Sequence, residues 1–137
     1  MKVIDVEPTN VFNVLKENER SQLIDVRTRD EWERVGVPDL KTLNKDVFFV
    51  EWPQHSNLTS FFLCKFQRNL LSEFIYSDQL FFICRSGVRS RIASEFALKF
   101  GFKHCYNVLE GFEGLSIDQN IKSGWKEKNL PWKIFTP

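Results

Sequence analysis

Leu80-Phe81-Phe82-Ile83-Cys84-Arg85-Ser86-Gly87-Val88-Arg89-Ser90 is the stretch on which the reading of this chain turns. Its apolar head stops abruptly at charge and glycine, which predicts a buried strand from Leu80 to Cys84. Beyond the glycine, Ile92, Ala93, Phe96, Ala97 and Phe100 fall on one helical face and Gly101 follows, so a helix is predicted from Ser90 to Phe100. Cys84 is therefore expected at the tip of a strand, in a tight loop that leads into a helix N-terminus. In such a loop the amide N–H groups of Ser86, Gly87, Val88 and Arg89 can turn inward as an anion-binding nest. Gly87 permits the backbone angles this needs. Ser86 adds a hydroxyl donor, Arg85 and Arg89 add permanent charge, and the helix adds its positive end. Each of these favours a thiolate, so Cys84 reads as a reactive cysteine. The plainer alternative is a free cysteine that merely ends a core strand. The arginines and the glycine have no part in that alternative.

Working outward, Val3–Val6 reads as a strand. A helix follows with Thr9 or Asn10 as its cap, carrying Val11, Phe12, Val14 and Leu15 to near Asn18. Gln22–Val26 reads as a second strand. Thr28 caps a short helix through Asp30, Glu31, Trp32 and Glu33, which Gly36 and Pro38 end. Val47–Val50 is a third strand and Phe61–Phe74 a Phe-rich helix. His104–Val108 is the last strand, Gly111 and Gly114 bracket a turn, and Ile121–Lys128 is a final short helix. Strands alternating with helices predict an α/β domain with a parallel sheet covered on both faces. Ligands bind beyond the carboxyl ends of such strands, where Asp25-Val26-Arg27 and Cys84 would lie side by side.

The 137 residues fit one domain over 1–137. The 14 Phe and four Trp point to an aromatic core. A formal charge of +1 gives no global basic field for nucleic acid. The N-terminus lacks an apolar signal region and no apolar run is long enough to span a bilayer, so no membrane association is expected. Three widely spaced cysteines, Cys64, Cys84 and Cys105, argue for a reducing, cytoplasmic compartment rather than a disulfide framework. Cys64 and Cys105 read as buried fillers. His55 and His104 stand apart from any ligand spacing, so neither a metal site nor a cofactor is expected.

Four segments together resemble the single-domain rhodaneses, a sulfurtransferase family. They are Ile24-Asp25-Val26-Arg27 with Glu31-Trp32, the loop from Cys84 to Ser90, Asn107-Val108-Leu109-Glu110-Gly111-Phe112, and Gly124-Trp125 with Leu130-Pro131-Trp132. They run in the family's order over nearly the whole chain. The resemblance implies a rhodanese-like central parallel sheet of about five strands, flanked by helices on both faces. It implies Cys84 as the sulfur acceptor and a substrate cradle from Arg85 through Ser86, Gly87 and Val88 to Arg89. It also implies that Asp25, Arg27 and Glu31 form a charged structural cluster near the site. Two departures stand out. Gly36-Val37-Pro38-Asp39-Leu40 lacks the histidine common in the family's corresponding segment. The stretch from Asn44 to Asp78 is long and Phe-rich, and reads as extra core and surface loop or as a wall beside the site.

The chemistry implied is transfer of a sulfane sulfur through a persulfide on Cys84. The donor would be a small sulfur anion such as thiosulfate and the acceptor a thiol or protein cysteine. One alternative is a Cys-based phosphatase or arsenate reductase, whose loop resembles Cys-x5-Arg. Here four residues separate Cys84 from Arg89. The other alternative is a non-enzymatic sensing or partner-binding module.

Overall fold

The computed structural model describes residues 2–53, 58–114, 116–117, 120–121 and 124–137. Five parallel strands form the central sheet. In chain order they are β1 (Ile4–Val6), β2 (Ser21–Asp25), β4 (Phe48–Phe49), β5 (Gln79–Ile83) and β6 (His104–Val108), arranged β1-β6-β5-β2-β4. Four helices, α1 (Pro8–Glu17), α2 (Arg29–Val35), α3 (Ser60–Glu73) and α4 (Val88–Lys99), flank it. Two short antiparallel pairs lie outside the sheet: β3 (Val37–Pro38) with β9 (Trp132–Lys133), and β7 (Ser116–Ile117) with β8 (Asn120–Ile121). No helix among the described residues is long and apolar enough to cross a membrane.

Strand alternation explains the two cores. Successive side chains point to opposite faces. Leu80, Phe82 and Cys84 therefore join Phe66, Leu70, Ala93 and Ala97 on the face covered by α3 and α4. Phe81 and Ile83 join Val11, Leu15, Phe112 and Trp125 on the other. The Phe-rich stretch supplies core: Trp52 is buried and meets Phe66 edge to face at 4.9 Å. Each such ring contributes roughly 1.5–3 kcal/mol by leaving water.

Several boundaries differ from the sequence expectation for local reasons. The first helix begins at Pro8, whose fixed φ and missing N–H suit the first helical position, with Glu7 rather than Thr9 or Asn10 as its cap. The helix after Cys84 begins two residues early, at Val88, because Gly87 adopts φ +106° and serves as its cap. No helix forms over Ile121–Lys128 among the described residues. Asn120–Ile121 pairs with Ser116–Ile117, residues 125–129 form turns, and residues 122–123 lie outside the description. At Gly124 a Cβ would fall 2.6 Å from the Gly114 backbone nitrogen, so this segment lies directly against the turn after β6.

Candidate functional site

Register brings the second and fifth strands together at their carboxyl ends. Asp25 lies opposite Ile83, and the Val26 amide donates to the Ile83 carbonyl at 2.9 Å. The Cys84 loop thus emerges beside Asp25-Val26-Arg27. The turn after β6 holds it from the other side. Phe112 N–H donates to the Cys84 carbonyl at 2.8 Å and Glu113 N–H to the Arg85 carbonyl at 3.0 Å. Gly111 makes this approach possible, since a Cβ there would lie 2.4 Å from the Cys84 carbonyl oxygen.

The Cys84 side chain is 1% exposed. Its sulfur accepts a hydrogen bond from the Gly87 amide at 3.1 Å and lies 3.1 Å from the Ser90 hydroxyl. Ser90, in the first turn of α4, is the hydroxyl that lies beside the sulfur, where sequence reasoning expected Ser86. The amides of Arg85, Ser86, Val88 and Arg89 find no acceptor among the described residues. They belong to the same loop as the Gly87 amide that bonds the sulfur. Val88 is 64% exposed and forms an apolar rim.

The two arginines have different environments. Arg85 is mostly exposed and pairs loosely with Glu113 at 3.3 Å. Arg89 is 13% exposed and makes a two-pronged pair with Glu31, both bonds 2.8 Å. Burial alone disfavours the Glu31 charge. The Arg89 bonds and the Thr28 amide and hydroxyl outweigh it and hold the carboxyl at about 2. Arg89 is likewise held above its ordinary value despite burial, chiefly by Glu31 and in part by the nearby Cys84. Glu31 owes its position to a capping box with Thr28 at the start of α2, where acidic residues suit the helix end.

Asp25 and Arg27 are fully buried and lock the strand end. Arg27 donates to Asp25 from its amide, Nε and Nη2, and to the Gly36 carbonyl. Trp32 Nε1 donates to the same carboxylate at 3.0 Å. The guanidinium stacks 4.3 Å over the Phe112 ring. This cluster ties β2, α2 and the turn after β6 into one frame. Glu31 meets the Cys84 loop through Arg89, whereas the bonds of Asp25 and Arg27 stay within the frame.

The other cysteines divide. Cys105 is buried, and burial pushes its thiol up to about 12. Cys64 is not a buried filler: it is exposed on α3, with the Arg68 guanidinium 3.9 Å away. Phe66 and Leu70 turn inward on that helix, which leaves Cys64 on the solvent side. His104 is exposed at the start of β6, and His55 lies outside the described residues.

Sequence reasoning assigned no role to Asn107, Asp5 or Glu113. Asn107 is 3% exposed and opposite Asp5 across β1 and β6. Its amide nitrogen donates to Asp5 at 2.9 Å and to the Gly87 carbonyl at 3.0 Å, and its oxygen accepts from Ser90 at 2.5 Å. A polar residue within a strand was one signal available for Asn107, since such groups stay buried only when bonded.

Five parallel strands with a cysteine loop at their carboxyl ends make a fold shared with solved rhodanese-like domains from Staphylococcus aureus and Anabaena. Residues 5–136 match the family described as STR4 middle domain, and the chain belongs to that family. An uncharacterised protein of Rickettsia conorii is 41% identical over 98% of this chain and 100% of its own length. The chloroplastic rhodanese-like domain-containing protein 4 of Arabidopsis thaliana is 26% identical over 90% of this chain, but only 24% of its own length. Among solved structures, Rv0390 from M. tuberculosis superposes with a TM-score of 0.84 at 36% identity, covering 98% of this chain and 100% of that one.

Proposed function

We propose that this chain is a sulfurtransferase that carries sulfur as a persulfide on Cys84. The observation that supports the reading most is the surrounding of Cys84. Its sulfur accepts an amide N–H, and four further loop amides lack protein acceptors among the described residues. The Cys84 thiolate attacks the outer sulfur of a small sulfane donor such as thiosulfate. A sulfur–sulfur bond forms to Sγ, and the bond inside the donor breaks with its electron pair leaving on the departing anion. The persulfide's terminal sulfur keeps the negative charge and receives the loop amides. An acceptor thiolate, free or on a protein, then attacks that sulfur, and Cys84 leaves as the thiolate. No separate base is needed once the thiol is ionised.

The arginines take unequal parts. Arg89, neutralised by Glu31, fixes the far end of the loop. Arg85 stands at the exposed rim and meets the incoming anion. Cys84 must return to the thiolate after each turnover, which suits a reducing, cytoplasmic compartment.

The test is thiosulfate:cyanide and persulfide-donor assays on wild type and Cys84→Ser, alongside an aryl phosphate. Sulfur transfer by wild type alone, with aryl-phosphate turnover weaker, is expected. Retained transfer in the serine variant, or phosphatase activity exceeding sulfur transfer, would overturn the reading.

A further inference from the structure

The geometry points to Asn107 as a positioning residue that keeps the Ser90 proton off the Cys84 sulfur. The argument is one of donors and acceptors. The Asp5 carboxylate and the Gly87 carbonyl can only accept, and both face the same end of the Asn107 amide, at 2.9 and 3.0 Å. That end must be the nitrogen. The Asn107 oxygen therefore faces Ser90 and can only accept. A serine hydroxyl has one proton, so that proton goes to Asn107. Toward the sulfur, 3.1 Å away, Ser90 then presents a lone pair. It can accept an S–H from the thiol, but it offers nothing to a thiolate.

The Gly87 amide is thus the one donor that reaches Sγ among the described residues. If Ser90 turned its proton to the sulfur, it would strand the Asn107 oxygen, which is buried and has no other donor. The bare thiolate is held weakly as a result. In the sulfur-transfer reading, on which this consequence rests, charge on the outer sulfur of a persulfide escapes the Ser90 lone pair and meets the unengaged loop amides. Asn107 then biases the site toward its loaded state.

Other charges near Cys84 come from every adjoining element. Asp5 pairs with Arg91, Asp25 with Arg27, Glu31 with Arg89 and Arg85 with Glu113. Glu110 follows β6, and its backbone nitrogen lies beside Gly87. None of these is altered in the variants below, although Asp5 loses one donor.

The experiment is the pH profile of Cys84 alkylation by iodoacetamide in wild type, Asn107→Leu, Ser90→Ala and the double variant, with no sulfur donor present. Folding of each is checked by circular dichroism. Asn107→Leu frees the Ser90 proton for the thiolate. Its profile is expected to move to lower pH by about one unit, giving about tenfold faster alkylation on the rising limb. In the Ser90→Ala background the same substitution is expected to change nothing. An equal shift in both backgrounds, no shift, or a shift to higher pH overturns the assignment. Should Asn107→Leu fail to fold, Ser90→Ala alone decides. Acceleration, or slowing by less than about threefold, fits a proton committed elsewhere, and slowing by about threefold or more identifies Ser90 as an ordinary donor to the thiolate and overturns the assignment. Failure of sulfur transfer leaves this result untouched, because alkylation needs no donor.

Discussion

Cys84 and Cys105 sit on neighbouring strands of one sheet, and both side chains are buried on the face covered by α3 and α4. Burial alone therefore does not separate a reactive cysteine from an inert one. Position along the strand does. Cys105 pairs with Leu80, four residues before Cys84, which places the two roughly 13 Å apart along the strand direction. There Cys105 lies in the apolar cluster under α3 and α4, and burial pushes its thiol up to about 12. At the carboxyl end the chain turns, a glycine at φ +106° aims an amide at the sulfur, and a helix opens its first turn beside it. The sheet delivers the same residue to two environments, and among the described residues only the second aims a backbone amide at the sulfur.

The largest effect expected from this contrast is chemical. Alkylation of the folded protein at neutral pH should modify Cys84 at least about a thousandfold faster than Cys105, because the buried thiol is almost never ionised there. Peptide mapping reads the ratio, and comparable rates would break the comparison. Removing the frame around Cys84 comes next. Glu31→Gln leaves Arg89 without its anion and should cost about 2 kcal/mol at pH 7 by denaturant unfolding. Its pH signature has a definite sign. The folded-state carboxyl is depressed from 4.5 to about 2, so the pair's stabilisation is fully present above about 4.5. It is lost as pH falls from there toward about 2, and the glutamine variant should lack that slope. An unchanged acid limb would remove Glu31 from the frame. The smallest effect is on the inert partner. Cys105→Ala should cost about 1 kcal/mol by thermal unfolding and leave sulfur transfer at wild-type rates.

Much of this contrast was legible in the sequence. The apolar run ending in Cys-Arg-Ser-Gly placed the strand and the loop with Cys84 between them, because an apolar run stopped by charge and glycine is a local signal. The Thr28 cap of the second helix was equally local. What escaped depends on distant pairing. Arg89 meets Glu31 across 58 residues and Asn107 meets Asp5 across 102, so neither the neutralised arginine nor the oriented serine could be read from spacing. The pair of Val37–Pro38 with Trp132–Lys133 is too short to carry any periodicity. Cys64 was misplaced because the Phe-rich helix around it alternates weakly, with apolar residues on both faces. Phe61 is 79% exposed while Phe66 is buried.

The central claim is that Cys84 holds a transferable sulfur. Mass spectrometry of the intact protein after exposure to thiosulfate or a low-molecular-weight persulfide tests it most directly, with peptide mapping to place the added mass. One extra sulfur on Cys84, absent from Cys64 and Cys105 and removed by cyanide, is the predicted result. A protein that gains no sulfur under these conditions, or gains it on Cys64 or Cys105 instead, would contradict it.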